Sequence, residues 1–334
     1  MNGIFCLERY NKNLNYLRKV RLKKLKRLAD KIKLRIYKHD SWIYQATLLE
    51  LNHPDTVSLV KDSILLEKLK LDIDDSKFNF LLIGYENALI LKESINATFE
   101  IENNKLFVII DDIVFEVQTA EELFILKEIF VEGVYNFQLK DKPENYALID
   151  IGMNVAYASC YFAKIKQIPH IISFEPFTPT FDQAKKHIAL NHFEDIIDAR
   201  NYGLGGCDEI LSVEYAPEFK GQMNMQGTNY IRSNITQSIT EEIIIKKALE
   251  PLKQIERDYS TQRFIMKIDC EGAEYDLINV IPESLLQRCD LIMMEWHEKG
   301  PKMIEEWLSK HGFIQMLFYP LSKRAGMIYA IKSK

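Results

Sequence analysis

Acidic and small residues that follow an apolar run are the first feature of this 334-residue chain that indicates chemistry. In the segment ALIDIGMNVAY, residues 147–157, Asp150 ends the run, and Gly152 and Asn154 come directly after it. Gly152 permits a tight turn, and we expect Asn154 to cap the helix that follows. The free N–H groups of that helix suit a ligand carboxylate, and Asp150 suits a ligand ammonium group, directly or through water. Turns of this kind also occur without a ligand.

A second acid lies 25 residues further along, where HIISFEP, residues 170–176, places Glu175 after another apolar run. Open parallel sheets bind ligands outside the carboxyl ends of their strands. Asp150 and Glu175 at two consecutive strand ends therefore favour a nucleoside, whose ribose hydroxyls Glu175 can bind. A charge that stabilises the next helix is the alternative interpretation of Glu175.

The segment FIMKIDCEGAEYDLI, residues 264–278, brings Asp269 and Glu271 to the same crevice, before a turn at Gly272. Paired acids there can fix an acceptor hydroxyl, take its proton or hold a divalent cation. Glu274 falls in the first turn of the following helix, where an acid also stabilises the helix dipole.

The segment LIMMEWHEK, residues 291–299, adds Glu295 and His297 at the end of the next strand. An imidazole titrates near neutral pH, so His297 is predicted to be a general base. A structural histidine is the alternative interpretation.

Strands and helices must alternate to bring these residues together. Apolar runs predict five parallel strands, at residues 147–151, 170–174, 196–202, 264–268 and 291–295. Helical patterns lie between them at 156–166, 179–190, 273–286 and 303–311, and a closing antiparallel hairpin is predicted from 313–318 and 326–331. The connection from Gly205 to Lys247 is long for a loop and is predicted to form a lid over the acceptor.

The N-terminal part of the chain differs in composition and in its pattern of apolar residues. The spacing of apolar residues predicts an amphipathic basic helix over residues 14–36, which either docks on an anionic membrane or partner or packs on its own fold. Residues 41–72 are predicted to be helical. From residue 78, the segments FNFLLIGY, ALILKES, TFEIEN and KLFVIID predict a small antiparallel sheet. We divide the chain into a basic helical region at 1–75, a small β-rich and helical region at 76–140, and a catalytic domain at 141–334.

Composition excludes several classes of protein. The net charge of −5 combines +10 over residues 1–40 with −15 over the remainder, so a broad basic groove for nucleic acid is not expected. Five scattered cysteines form no CxxC pair, and no apolar stretch has the length of a membrane span. These features favour a cytoplasmic protein, with peripheral contact at the inner membrane surface through residues 14–36. The sequence does not indicate an oligomeric state.

The motifs IDIGMNVAY, ISFEP with Leu190-Asn191, KIDCEGAEYDLI and IMMEWH, in this order, resemble the FkbM family of S-adenosylmethionine-dependent methyltransferases. The resemblance covers about residues 120–334. It implies an α/β fold with a Rossmann-like class I methyltransferase sheet, and cofactor contacts at Gly152, Asn154 and Glu175. It also implies O-methylation, often of a sugar or polyketide hydroxyl. Where the family usually has a second glycine, this chain has Ala156.

We therefore predict an O-methyltransferase acting on a small-molecule or carbohydrate acceptor, such as a cell-surface glycan precursor. Asp150, Gly152, Asn154 and Glu175 are assigned to S-adenosylmethionine, and Asp269, Glu271 and His297 to the acceptor. A divalent cation at the acceptor side stays open. The alternatives are a nicotinamide-dependent oxidoreductase, which a single glycine in place of GxGxxG disfavours, and an inactive protein that binds S-adenosylmethionine as a scaffold.

Overall fold

The computed structural model describes residues 46, 49–50, 52–53, 56–60, 63–216, 239–320 and 324–333. The predicted basic helix at 14–36 and the segment GQMNMQGTNYIRSN, residues 221–234, lie outside these residues. Within the described parts, none of the helices combines the length and the apolar character that crossing a membrane requires. The chain divides into two compact units, Met1–Ile83 and Gly84–Lys334. The three-part division, the cytoplasmic location and the peripheral membrane contact stay predictions.

The first unit contains a small antiparallel sheet. Its elements are β1 (Val57–Val60), β2 (Ser63–Leu66) and β3 (Leu71–Ile73), then a 3-10 turn (Ser76–Phe78) and helix α1 (Asn79–Ile83). Ile64 and Leu66 are buried while Leu65 between them is less so, which is the period-two pattern of a strand. The helix predicted up to residue 72 is therefore wrong from residue 57 onward. The strand predicted for FNFLLIGY is also wrong, because most of that segment is helical.

The second unit opens with a helix and a three-stranded antiparallel sheet. Its described elements, in chain order, are α2 (Tyr85–Ile95), β4 (Thr98–Glu102), β5 (Lys105–Ile110), β6 (Ile113–Val117), α3 (Ala120–Lys127), a π-helix (Glu128–Glu132), a 3-10 turn (Pro143–Asn145), β7 (Tyr146–Ile151), α4 (Tyr157–Lys164), β8 (Ile171–Phe174), α5 (Thr178–Leu190), β9 (Ile197–Arg200), β10 (Gly203–Gly205), β11 (Glu209–Tyr215), β12 (Ile239–Lys247), α6 (Leu249–Asp258), β13 (Arg263–Ile268), α7 (Glu274–Leu277), α8 (Glu283–Arg288), β14 (Cys289–His297), α9 (Lys302–Lys310), β15 (Phe313–Pro320) and β16 (Ala325–Lys332).

The sheet predicted from residue 78 begins only at β4. The segment ALILKES forms part of α2, which buries Tyr85, Ala88 and Leu89 at helical spacing and ends at Asn96 in a left-handed conformation. The strand prediction there is wrong, because leucine-rich segments of this length fit either pattern. The predictions for TFEIEN and KLFVIID are confirmed by β4 and β5, which pair antiparallel.

A seven-stranded sheet forms the centre of the second unit, in the order β15-β16-β14-β13-β7-β8-β9. When these seven strands are renumbered 1 to 7 in chain order, their order in the sheet, starting from β9, is 3-2-1-4-5-7-6. The five predicted parallel strands are confirmed, and β16 lies antiparallel to both β14 and β15, as the predicted hairpin requires. All six residues of β7 are buried, as expected for a parallel strand covered on both faces.

The described part of the connection predicted as an acceptor lid contains regular structure, and its role as a lid stays a prediction. Within its described residues, β11 and β12 pair antiparallel, and β10 joins β12 in parallel to form a third small sheet. Val213, Tyr215, Ile243 and Ile245 bury their side chains against Phe177. Phe177, which packs on this sheet, comes shortly after β8. The sheet therefore lies beside the carboxyl end of β8.

The antiparallel sheet β4–β6 contacts the rest of the second unit through helix α5 and the residue that follows it. The Asn191 side chain accepts from the Val114 N–H at 2.7 Å and donates to the Val114 carbonyl at 2.9 Å. His187, which is fully buried, contacts the Val155 carbonyl through Nδ1 at 2.7 Å. Asn191, which is part of the family resemblance, thus fixes the edge of β6 by hydrogen bonding to both backbone groups of Val114.

Candidate active site

A cleft that is open to solvent lies at the carboxyl ends of β7, β8 and β13. This is where open α/β sheets bind ligands. The cleft is lined by Ile151, Gly152, Asn154, Phe174, Glu175, Pro176, Phe177, Gly203, Leu204, Ile245, Asp269, Cys270, Glu271 and Ala273. Five of the seven residues predicted for the site are therefore on one surface: Gly152, Asn154, Glu175, Asp269 and Glu271.

Gly152 forms the turn that begins this cleft. Its φ angle is 84°, which lies in the region that glycine adopts without strain. A Cβ atom at this position would overlap the carbonyl oxygen of Asp269, so the backbones after β7 and β13 pack directly on each other. The N–H groups of Gly152 and Met153 donate to the Phe174 carbonyl at 3.1 and 2.9 Å. No other residue type fits this position without moving one of the two strand ends.

Glu175 is buried at the end of β8 and braces the turn. Its Oε2 accepts from the Asn154 N–H at 2.9 Å, and its Oε1 accepts from the Phe177 N–H at 3.0 Å. Burial raises the pKa of Glu175 to about 7, although these two hydrogen bonds and the charge of Lys267 act in the opposite direction. Each carboxylate oxygen can still accept a second hydrogen bond, so the group can bind ribose hydroxyls.

Asn154 does not cap helix α4, contrary to the prediction. Its φ angle is 53°, and its side-chain oxygen accepts from the Val155 N–H at 2.8 Å. Helix α4 begins two residues after Val155, at Tyr157, and has no side-chain cap. Asn154 instead stabilises a left-handed turn, a conformation that asparagine tolerates better than most residues.

Asp150 lies beneath the cleft rather than on its wall. Its side chain is fully buried, and Oδ2 accepts from the Ser159 hydroxyl at 2.6 Å. Oδ1 lies 3.1 Å from the Nζ atom of Lys267, whose side chain is only 3% exposed. Asp150 therefore already has a cationic partner within the protein. Its predicted contact with a ligand ammonium group stays a prediction.

Asp269, Glu271 and His297 form the second side of the site. Glu271 follows β13 with a φ angle of 50° and Gly272 with 107°, so the chain turns sharply between the strand and helix α7. His297 Nε2 lies 3.6 Å from Glu271 Oε2 and 3.4 Å from Glu295 Oε1. Burial is the main cause that raises the pKa of Glu271 to about 8. The charge of His297 opposes this rise, and the charges of Asp269 and Glu295 add to it.

Glu274 is the residue that orients His297. It is fully buried, and its Oε1 lies 2.8 Å from His297 Nδ1 and also accepts from the Gly272 N–H at 3.1 Å. Burial lowers the pKa of His297, but hydrogen bonds to Glu274 and Glu295 and the charge of Glu271 outweigh burial and raise it to about 12. At neutral pH His297 is an imidazolium, which donates protons and is not in the state of a general base. Its catalytic role stays a prediction.

Sequence reasoning missed Glu128, which the π-helix brings to the same acidic region. Burial raises the pKa of Glu128 to about 8; Lys127 opposes this, and the charges of Glu132, Glu295 and Asp269 reinforce it. A π-helix is rare and frequently occurs at functional sites. No pattern in AEELFILKEIFVEGVY distinguishes it from an α-helix, so the sequence carried no signal for this residue.

Asp269, Glu271 and His297 can also hold a cation. Each offers one ligand atom, and the three atoms lie within 4.8 Å of one another. Carboxylate oxygens suit a divalent cation, and an imidazole can join them only in its neutral form. The buried Glu274 carboxylate behind the ring is the outer partner that metal-binding histidines usually have.

The donor set fits S-adenosylmethionine. Glu175 is a buried carboxyl group with lone pairs to spare for ribose hydroxyls, and Phe177, Leu204 and Ile245 supply an apolar wall for a purine. The strand order, with one antiparallel strand at the sixth position from the β9 edge, is the layout of a methyltransferase rather than a dehydrogenase. Fold and cleft together define a Rossmann-like methyltransferase.

Comparison with known proteins supports the resemblance. Residues 150–314 match the Methyltransferase FkbM domain, and the chain is an S-adenosylmethionine-dependent methyltransferase. It is 23% identical over 184 residues to Methyltransferase 1 of Beauveria bassiana, covering 52% of this chain and 72% of the relative.

Two solved structures are similar at low identity. The METTL16 MTase domain matches with a TM-score of 0.40 and 13% identity, covering 88% of this chain and 96% of that one. The human methyltransferase 10 domain containing protein matches with a TM-score of 0.39 and 14% identity, covering 75% and 94%.

Ala156, at the position where the family usually has glycine, has a φ angle of 68° and no exposure. A left-handed conformation costs alanine roughly 1–2 kcal/mol, and a buried methyl group returns about 0.8 kcal/mol. Ala156→Gly should therefore change the free energy of unfolding by less than about 1 kcal/mol. Ala163→Gly, inside helix α4, should cost about 2 kcal/mol, because it loses helix propensity as well as burial. Thermal denaturation of both variants checks this; equal losses of stability would contradict a strained Ala156.

Proposed function

We propose that this protein transfers the methyl group of S-adenosylmethionine to a hydroxyl oxygen of an uncharged sugar or glycan precursor. When bound, the cofactor supplies an electrophilic methyl group on a sulfonium sulfur. The observation that carries the acceptor proposal is the row of carboxyl groups beside the donor cleft. Asp269 and Glu271 line the cleft, and Glu295 and Glu128 act on them electrostatically.

The electrostatics of this region favour a neutral acceptor, because the raised pKa values of Glu271 and Glu128 reflect an environment in which further negative charge is unfavourable. Two like charges in a partly buried site repel each other strongly. At a separation of roughly 4 Å this repulsion is about 4 kcal/mol. Phosphate or carboxylate groups next to the reacting hydroxyl would meet this repulsion. A neutral polyol instead offers hydroxyl protons, which carboxylates bind well. Nucleic acid is disfavoured for the same reason.

In this proposal each polar residue has a separate task. Gly152, Asn154 and Glu175 hold the nucleoside, and Asp269 positions the acceptor hydroxyl. Glu271 takes the hydroxyl proton in its ionised form, which is the minor form at pH 7 and becomes the major form as the pH rises above about 8. His297, as an imidazolium, holds the carboxylate of Glu271 in place through Nε2.

The acceptor class is tested with matched sugars. We expect the purified chain to transfer a labelled methyl group from S-adenosylmethionine to neutral glycosides. A uronic acid should be methylated at least tenfold more slowly than the neutral sugar of the same configuration, because its carboxylate is repelled. Methyl transfer is measured by mass spectrometry of the product.

Other outcomes select the alternatives. Transfer only to lipids or small metabolites would contradict the sugar proposal. Tight binding of S-adenosylmethionine without turnover on any acceptor would favour an inactive scaffold. Binding of a nicotinamide cofactor instead would favour an oxidoreductase.

We further propose that a divalent cation can occupy the site formed by Asp269, Glu271 and His297, where it would take the place of the imidazolium proton. Chelation should then lower methyl transfer at least tenfold, and added Mg²⁺ should restore it. His297→Asn should remove this response, while His311→Asn, which affects another histidine paired with an acid, should leave it intact. Activity that is unchanged after chelation would contradict the cation and leave His297 as an imidazolium.

Ionisation of Glu175 should control binding of the nucleoside. Because its pKa is about 7 in the free protein, the carboxylate is the minor form at pH 6 and the major form at pH 8. Affinity for adenosine, which has ribose hydroxyls but no titrating amino acid, should rise roughly tenfold from pH 6 to pH 8. Ligand-observed NMR titration at the two pH values measures this.

Two controls isolate the carboxylate. Glu175→Gln should abolish the pH step, and 2′,3′-dideoxyadenosine, which lacks the hydroxyls, should show none with the unchanged protein. A pH step that persists in Glu175→Gln would mean that another group is responsible and that Glu175 does not bind the ribose.

A further inference from the structure

One buried ammonium group lies between the donor and acceptor sides of the site. Lys267 belongs to β13, and its side chain is 3% exposed. Its Nζ atom lies 3.1 Å from Asp150 Oδ1 and 3.6 Å from Asp269 Oδ2, and it donates to the Gly152 carbonyl. The Gly152 carbonyl accepts a hydrogen bond from this ammonium group, and the two carboxylates are its ion-pair partners.

The three partners come from different parts of the site. Asp150 and Gly152 belong to β7 and the turn that lines the donor cleft, whereas Asp269 lies at the end of β13 on the acceptor side. Lys267 and Asp150 are direct neighbours in the parallel register of these strands. The same two strand ends are joined by a hydrogen bond of 2.9 Å from the Asp269 N–H to the Ile151 carbonyl.

The ammonium group is flanked by two carboxylates at ion-pair distance, one from each strand end. A buried cation with two anionic partners is held much more rigidly than an exposed ion pair, because each partner left alone would be an uncompensated buried charge.

We infer that Lys267 is a positioning residue for methyl transfer: its ammonium group fixes the Gly152 turn relative to Asp269, and so the donor relative to the acceptor. This inference rests on the proposed function. In an in-line displacement the enzyme mainly aligns the reacting atoms, and a misplacement of 1 Å can cost about a hundredfold in rate.

Lys267→Met tests the inference against a matched control on the same strand. Arg263→Met removes another ion pair, with Asp290, at the opposite end of β13. Both variants should lose stability. At saturating S-adenosylmethionine, kcat per folded molecule should fall about a hundredfold in Lys267→Met and stay within twofold of the parent in Arg263→Met. A fall of less than twofold in Lys267→Met would overturn the inference.

A second pair of variants covers the case in which Lys267→Met does not fold, because it leaves Asp150 buried and uncompensated. Asp150→Asn with Lys267→Met is compared with Asp150→Asn alone, so that only Lys267 differs. The double variant should have a kcat at least tenfold below that of the single variant. Equal kcat values would show that Lys267 only balances the charge of Asp150.

Amide hydrogen exchange gives a readout that needs no acceptor. The N–H groups of Gly152, Met153 and Ala156 are hydrogen-bonded within the turn or to β8. In the ligand-free protein they should exchange at least tenfold faster in Lys267→Met than in Arg263→Met. If the unchanged protein has no methyl-transfer activity, the proposed function fails, and exchange alone decides whether Lys267 fixes the turn. Unchanged exchange would overturn the inference.

Discussion

The close contact between the strand ends of β7 and β13 is the constraint on which both sides of the site depend. Gly152 packs directly against the Asp269 carbonyl, and Lys267 contacts oxygens on both strands. Moving either strand end would break the packing and leave Asp150 without its cation, which is costly in a buried environment. The donor turn and Asp269 are therefore joined by backbone packing and by a shared cation.

Charge is distributed unevenly over that body. Lys267 neutralises the acids beneath the cleft, whereas His297 is the cation that faces Glu271 and Glu295 above it. Burial is the main cause that raises the pKa of Glu271 and of Glu128 to about 8, and the charges of Asp269 and Glu295 add to it. The neutral acceptor and the cation that we propose are both compatible with this field.

The fold of residues 141–334 was largely predictable because its strands are buried on both faces. Runs such as ALIDI and FIMKI admit few alternatives when helical patterns alternate with them, and the closing hairpin has clear turn residues. The region before it was harder. Residues 79–95 mix leucines with β-forming residues and fold as helices, and residues 57–73 form strands where short apolar spacings suggested a helix. Such short segments take their structure from packing, which a sequence pattern does not record.

The site residues were predictable as a set, but their individual states were not. Strand ends converge by topology, so Gly152, Glu175 and Asp269 meet wherever this sheet forms. The protonation of His297 depends instead on Glu274, 23 residues away, which reaches it only because α7 begins directly after the Gly272 turn. One sequence signal was available for Lys267: a lysine inside an apolar strand must find acids when it is buried, and the two nearest strand ends each supply one. The chemistry of this site is therefore set by side chains behind the cleft as much as by those that line it.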